Sequence, residues 1–526
     1  MVSNIALELL AVSVFGILYV VIFVGRRGRN FPPGPPTLPL IGNLHQLPRT
    51  GAHFTFTEWA QKYGGIFSLK LGPSNVVVIT DKGLVKSLLD KKSSIYSHRP
   101  SSYVSHDLIT RGEHLLVMQH GDKWRNYRKL MHQEFNQGRV EKERVPLVNA
   151  EATQMMRDFC VSPEDLMLHP KRFSNSIIMS QVYGIRSPTP QSSHLIELYH
   201  MVEEWSKVME TGATPPVDTL PIFKYIPERL FGNWITRSRK VGKEMDTLYG
   251  RLVSRVMKRR LRVGNANSFL DGILDQQDKL KLTRDELNFL SGISVEGGSE
   301  TTSTMILAFI HAMIKYPKVQ QRAQQEIDSV MGDERSPLWS DFPALPYINM
   351  VVKETMRWRP VTPLAFPHAT SEADTINGMH IPAGTTVILN TWGLHHSPSQ
   401  DPSPSIFEPT RYASSPLLAP DYAASPDYAS RDHYGYGAGR RICPGIHLAE
   451  RNLWLGMAKL LWAFELKEDE SRPVDADPKT GYSEGFLTCA KDFGAEVRVR
   501  GEGRRTTIFR EFEVAERDVF SGYEAD

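Results

Sequence analysis

The chain has 526 residues, of which 41% fall in the apolar set AVILMFWYC, enough for a sizeable core in one large domain or several. Its 62 Lys and Arg against 59 Asp and Glu leave a formal charge of +3, which excludes nucleic acid as the main partner. Three cysteines, Cys160, Cys443 and Cys489, are too few and too scattered for a disulfide framework and fit a reducing compartment.

Ile5 to Val24 is apolar throughout apart from Glu8 and a few small residues, and it matches the roughly 20 residues that cross a bilayer. Arg26, Arg27 and Arg29 follow, while Met1 to Asn4 carries no Lys or Arg. The charge asymmetry predicts an anchor over residues 1–25, with the rest of the chain facing the cytoplasm. A cleaved signal peptide is the competing reading, but the basic start and small-residue cleavage site it needs are missing. Phe31-Pro32-Pro33-Gly34-Pro35-Pro36 cannot be helical, and it makes residues 26–40 a stiff basic and proline-rich hinge.

Ile66–Leu71 and Val76–Ile79 read as two strands around Gly72-Pro73-Ser74-Asn75. Asp122 opens a helix on which Trp124 and Arg128, four residues apart, share a face. Residues 140–260 are helical, broken by proline-rich loops at 214–216 and 220–227. The basic run Arg237–Arg262 reads as a solvated face. A long helix starts at the capping box Thr283…Glu286 and should run to Lys315. Its middle holds Glu296-Gly297-Gly298-Ser299-Glu300-Thr301-Thr302. Two glycines in a helix interior cost about 1 kcal/mol each, which predicts a locally opened helix with an acid and a hydroxyl, Glu300 and Thr301, beside the gap. A packing glycine pair with incidental polar neighbours is the alternative.

Glu354 and Arg357 lie three apart on a further helix. On the surface such a pair would be worth little. Ala365-Phe366-Pro367-His368 is extended, and Thr375–Leu389 reads as a hairpin pattern around Asn377-Gly378 and Ala383-Gly384. Arg411 sits in a turn-rich segment, residues 413–430 read as a surface loop, and residues 501–526 read as a charged surface tail.

The densest pattern is Tyr436-Gly437-Ala438-Gly439-Arg440-Arg441-Ile442-Cys443-Pro444-Gly445, followed by a helical run from Ile446. A thiolate is the soft ligand that haem iron or zinc takes. A structural zinc site needs about four ligands, whereas one axial thiolate suffices for a haem. The plain alternative is a buried free cysteine in a turn.

Taken together and in this order, these motifs resemble the cytochrome P450 superfamily, the haem-thiolate monooxygenases, in their membrane-anchored microsomal form. Glu296–Thr302 and Arg357-Trp358-Arg359-Pro360 resemble fungal members that tailor secondary metabolites. The resemblance covers essentially the whole chain. It implies a mainly α fold with a small β region over residues 41–500, preceded by one N-terminal transmembrane helix. It makes Cys443 the axial iron ligand. It places Trp124, Arg128, His368 and Arg441 at the haem propionates and Tyr436 beside the cofactor. It assigns Glu300 and Thr301 to proton handling in oxygen activation, and Glu354, Arg357 and Arg411 to a buried structural triad. The substrate pocket is expected to draw on the stretch Tyr103–Met118, on Gly297, and on Val361, Ala365, Phe366, Phe486 and Leu487, with a membrane-facing entrance near residues 214–227. Three positions depart from the family pattern: Tyr436 stands for the usual Phe, Gly297 for Ala and Glu300 for Asp.

The resemblance also implies O2 and NADPH as co-substrates. Electrons would come from NADPH–cytochrome P450 reductase, with cytochrome b5 as a further donor, because no Gly-x-Gly-x-x-Gly follows a strand. The substrate would be an apolar small molecule that is hydroxylated, epoxidised or desaturated. The location would be the endoplasmic reticulum membrane, single-pass, with the catalytic domain in the cytoplasm. A reductase-independent isomerase or dehydratase acting on peroxides is the rival enzyme class, and the intact Glu300–Thr301 pair argues against it. A haem sensor without catalysis is the rival outside enzymes.

Overall fold

The structure, a computed structural model, describes residues 8, 15–16, 23–210, 212–398, 401–483, 485 and 487–526. The helices of twelve or more residues are numbered in chain order: α1 (Ala52–Tyr63), α2 (Asp122–Phe135), α3 (Val145–Val161), α4 (His169–Tyr183), α5 (Ser193–Met209), α6 (Trp234–Val263), α7 (Arg284–Lys315), α8 (Pro317–Val330), α9 (Pro346–Trp358), α10 (Ile446–Ala463) and α11 (Glu502–Asp518). The sheets are small, so the fold is mainly α. Among the described residues no helix is long and apolar enough to cross a membrane. The predicted anchor over residues 1–25 falls almost wholly outside the described residues.

The organising element is α7. Its capping box is complete: Thr283 Oγ1 accepts from the Glu286 N–H at 3.2 Å, and a Glu286 carboxylate oxygen accepts from the Thr283 N–H at 2.7 Å. The helix is buried nearly all round and packs along α4, with α6 and α10 crossing it. Gly297, Gly298, Glu300 and Thr301 interrupt that burial at mid-length. The expected opening is absent, since the helix is continuous from Arg284 to Lys315. The two glycines divide the alternatives between them. A Cβ on Gly298 would stand 2.6 Å from Ile178 of α4, so Gly298 permits close helix packing, whereas a Cβ on Gly297 would meet open space.

Ile66–Leu71 and Ser74–Ile79 form the expected hairpin. Asp374–Ile376 and Met379–Ile381 form a second one around Asn377-Gly378, both with positive φ. Beyond Ala383-Gly384 the expectation fails: Thr386–Leu389 leaves that hairpin and joins the first sheet, parallel to Ser74–Ile79. It also pairs antiparallel with His368–Ala369, which fixes His368 on the edge strand of that sheet, opposite Val387.

The hinge is clamped onto this sheet. Arg27 donates to Ser68 Oγ at 2.9 Å, Gly34 O at 2.9 Å and Pro35 O at 2.8 Å. The basic run in α6 is less solvated than expected. Arg259 is buried and pairs with Asp271, and Arg255 reaches Glu524 and Asp526 at 2.9 and 2.7 Å. The tail is folded rather than loose. α11 lies against α3, Glu524–Ala525 pairs parallel with Ile185–Arg186, and the Asp526 carboxylate accepts from the Ser193 N–H at 2.8 Å at the start of α5. Ala419–Ala424, in the expected loop 413–430, is a short helix.

Candidate functional site

A cavity of about 300 Å³ lies between the exposed turn of α7 and the Cys443 loop. The loop's shape depends on two left-handed glycines, Gly437 (φ 76) and Gly439 (φ 67). A side chain on Gly439 would collide with the Leu89 carbonyl. The Cys443 N–H donates to Tyr436 O at 2.9 Å, closing the loop just before α10. Burial pushes the Cys443 thiol up, while a hydrogen bond from the Gly445 N–H and the charge of Arg128 pull it down. The N-terminus of α10 adds further positive potential. Among the described residues no group of three or more His, Cys, Asp or Glu is arranged to hold a metal ion.

Tyr436, the departure from Phe, has a partner: its hydroxyl donates to Glu450 Oε1 at 2.8 Å. Glu450 also accepts from the Ala419 N–H at 3.1 Å. Burial and the neighbouring Glu450 carboxyl push the phenol well above its usual value, so it stays protonated.

Trp124, Arg128, His368 and Arg441 all line the cavity, together with an arginine the sequence did not flag, Arg99. The Arg441 guanidinium lies 4.5 Å from the Trp124 ring centre. It donates to the carbonyls of Ser97, Leu115 and Met118 at 2.9, 3.1 and 2.6 Å. Arg99 donates to those of Leu116, Phe366 and Pro367, each at 2.7 Å, and Arg128 to that of Ile442. None of the three donates to a carboxylate among the described residues. Burial, with Arg99 and Arg128 nearby, holds Arg441 down to about 8, and burial holds Arg99 down to about 9. His368 is pulled to about 3 by burial and then by the charge of Arg99, so its ring is neutral and Nδ1 donates to Tyr96 O at 2.8 Å. This wall is a cluster of cations waiting for anionic groups. Nothing around Arg99 marks it locally, because its place is set by Pro367 and Leu116, both distant in sequence.

Glu354, Arg357 and Arg411 lie outside the cavity lining, behind the loop. Arg357 grips Glu354 with two hydrogen bonds of 2.7 and 2.8 Å, and Arg411 Nε adds a third at 3.2 Å. The Glu408 N–H also donates to Glu354, at 2.8 Å. Glu354 is fully buried, so the surface-pair alternative is excluded. Arg357 also donates to Pro404 O and Ile406 O, tying α9 to the segment before Arg411.

On α7 the Thr301 hydroxyl donates to Gly297 O at 2.7 Å. Burial pushes Glu300 up to about 7. Its Oε2 has no hydrogen-bond partner among the described residues, and Oε1 faces the Cys489 thiol at 3.8 Å. Burial and the Glu300 charge push Cys489 up to about 12, so it stays a thiol. Gly297, Val361, Ala365, Phe366 and Leu487 line the cavity as expected, and Phe486 lies outside the described residues. Of the stretch Tyr103–Met118 only His114, Leu115 and Leu116 reach the lining. His114 and Glu296 are polar lining residues that were not singled out.

A family model described as Cytochrome P450 matches residues 32–495. The chain belongs to the cytochrome P450 family. A cytochrome P450 monooxygenase of Arthrobotrys oligospora is 54% identical over 516 residues, covering 96% of each chain. One of Penicillium terrestre is 54% identical over 508 residues and one of Aspergillus clavatus 52% identical over 499, each covering 95% of both chains. A zebra fish cytochrome P450 solved with abiraterone shares the fold, with a TM-score of 0.67 at 24% identity, and covers 86% of this chain and 100% of that one. The protein is accordingly an enzyme, a P450 monooxygenase. The family's cofactor is haem held by a thiolate, and the cavity suits it. One wall offers Cys443, and the unneutralised cations of Arg99, Arg128 and Arg441 suit the two carboxylates at a haem's edge.

Proposed function

We propose that this P450 takes two electrons from NADPH through a membrane-bound reductase and inserts one oxygen atom of O2 into a small, largely apolar molecule in fungal secondary metabolism, the other oxygen leaving with two protons as water. The observation that carries this reading is the facing pair of walls: Cys443 with three unneutralised guanidiniums on one side, and an acid near neutrality beside a hydroxyl on the other. Haem, when bound, supplies the reduction of O2 and the transfer of an oxygen atom. Cys443 would hold the iron as thiolate, and the Gly445 N–H and the start of α10 would stabilise the sulfur's negative charge. Arg99, Arg128 and Arg441, with His368 and Trp124, hold the two carboxylates. Glu300, close to 7, carries a proton in from the buried side of α7. The Thr301 hydroxyl releases Gly297 O to pass that proton into the cavity. Val361, Ala365, Phe366 and Leu487 exclude water and seat the apolar part of the substrate. Glu354, Arg357 and Arg411 keep the loop in place from behind.

The membrane belongs to the same proposal, with the N-terminal segment as anchor, the endoplasmic reticulum as location and cytochrome b5 as a second donor. Leu38, Leu40 and Ile41 of the hinge region are exposed, as are Leu220, Ile222 and Tyr225. The two stretches adjoin, since Ser74, on the sheet that carries the hinge, lies 3.4 Å from Thr219 through their hydroxyls. An exposed apolar patch beside an anchor suits a lipid surface, with the entrance near 214–227. In a chain begun at residue 23, so that the anchor does not mask the patch, Leu40→Asp and Ile222→Asp should weaken sedimentation with phospholipid vesicles, and unchanged sedimentation would remove this part. For the reaction, the test is reconstitution with reductase and NADPH. The wild type should oxidise substrate and show the red-shifted reduced-CO band of a thiolate, and Cys443→Ser should lose both. Turnover with a hydroperoxide but none with NADPH, reductase and O2 would favour the isomerase class instead.

A further inference from the structure

One buried polar pair in the cavity has no part in the chemistry above. His114 Nε2 lies 2.9 Å from Glu296 Oε2, with side-chain exposures of 0% and 8%. Both residues line the cavity that holds Cys443 and Thr301. Their outer atoms, His114 Nδ1 and Glu296 Oε1, are buried without a hydrogen-bond partner among the described residues. The imidazole is fixed edge-on against Trp205 and Phe289, at 4.9 and 6.4 Å between ring centres. Around the pair the lining is apolar, with Leu115, Leu116, Val202 and Ile293.

Burying a carboxylate and an imidazole among such residues costs free energy, and leaving one atom of each unsatisfied costs more. A guest that brings the missing partner recovers that cost. Glu296 stands one turn before Glu300 on the same helix, about 6 Å along its axis. Thr301 is one residue further, about 7.5 Å from Glu296 along the axis, and both line the same cavity, so a group held at Glu296 and His114 leaves the rest of a small guest within reach of Thr301. Resting on the monooxygenase reading, we infer that Glu296 and His114 form a polar subsite that takes a hydroxyl of the substrate, so the enzyme acts on a small hydroxylated molecule with an otherwise apolar body. The hydroxyl donates to the free oxygen of Glu296 or to His114 Nδ1, while the His114 Nε2–H remains on Glu296. A carboxylate guest is repelled by Glu296. An ammonium guest would have to shed its hydration for a carboxylate already shared with His114.

A site built to hydrogen-bond a hydroxyl rejects the analogue that lacks it. The probes are 4-ethylphenol, ethylbenzene and 4-ethylbenzoate, titrated by calorimetry into the haem-loaded protein, so that the readout is independent of turnover. The wild type should bind 4-ethylphenol about tenfold or more tighter than ethylbenzene, and 4-ethylbenzoate more weakly than either. E296L and H114F should bring the first ratio close to one, by weakening the phenol and strengthening ethylbenzene. E296Q, which keeps the volume and one acceptor, should fall between, and it decides the matter if E296L fails to fold as judged by its reduced-CO band. A wild-type ratio near one, a ratio untouched by E296L or E296Q, or tightest binding of 4-ethylbenzoate would overturn the subsite. An intact ratio in a protein that never turns over with reductase would instead defeat the monooxygenase reading and leave the subsite standing.

Discussion

The buried carboxylates on the wall behind Cys443, Glu354 and Glu450, and those on the wall formed by α7, Glu296 and Glu300, are met differently. Behind the cysteine loop, Glu354 accepts from Arg357, Arg411 and the Glu408 N–H, and Tyr436 and Glu450 satisfy one another. Across the cavity, Glu300, Glu296 and His114 each keep a buried polar atom with no hydrogen-bond partner among the described residues. Satisfied networks hold one geometry, and unsatisfied groups in a cleft keep their hydrogen bonds for what enters it. On the proposed reading the first wall fixes a sulfur, and the second meets protons and guests that come and go.

The hardest blow to the contrast is Glu354→Ala. It strands the buried Arg357 guanidinium and takes one of two carboxylate partners from the half-buried Arg411, which keeps Asp401; the loss is on the order of 3–5 kcal/mol and should abolish the yield of folded, haem-loaded protein. Normal expression with full haem would show that the rear network is not what holds the loop. On the other wall the fold should survive and only chemistry should change. Glu300→Gln should cut product formation roughly a hundredfold, and Thr301→Ala should lower product per NADPH while NADPH consumption continues. Unaltered coupling in Thr301→Ala would send the proton route elsewhere.

The titration of Glu300 sharpens the point. Its folded value, about 7, lies above its unfolded value near 4.5 because burial disfavours the charge. On the proposed proton route protonated Glu300 is the donor, so wild-type turnover should fall as pH rises through about 7, and Glu300→Gln should flatten that limb. The linked stability has the same sign. The wild type's stability relative to Glu300→Gln is fully present below about 4.5 and is lost as pH rises towards 7. Thermal midpoints of the two proteins across this range check it. The smallest effect belongs to Tyr436→Phe, which removes one donor from Glu450 at a cost of about 1–2 kcal/mol. It should lower the thermal midpoint slightly and leave the reduced-CO band in place. A lost band would give the hydroxyl a role at the sulfur.

Much of the site was legible because its parts are local patterns. The capping box set the start of α7, Pro317 set its end, and the Cys443 loop carried its glycines and its cysteine together. Other parts depend on which faces meet. His114 and Glu296 are 182 residues apart, and Arg99 finds its carbonyl acceptors up to 268 residues away. Periodicity tells which residues share a helix face and says nothing of what lies opposite. The mistaken opening in α7 has the same origin: Gly298 answers to Ile178 on a neighbouring helix, a contact invisible along the chain. Thr386–Leu389 looked like the end of a local hairpin, yet it pairs with a strand some three hundred residues earlier.

Arg27 gives the front of the molecule a property of its own. By holding Gly34, Pro35 and Ser68 at once, it welds the proline run to the sheet. Residues 27–35 therefore keep one path over the sheet instead of forming a swinging tether. A shortened chain made for crystallisation should begin ahead of this arginine, since trimming past it would unfasten the prolines and fray the sheet edge they cover.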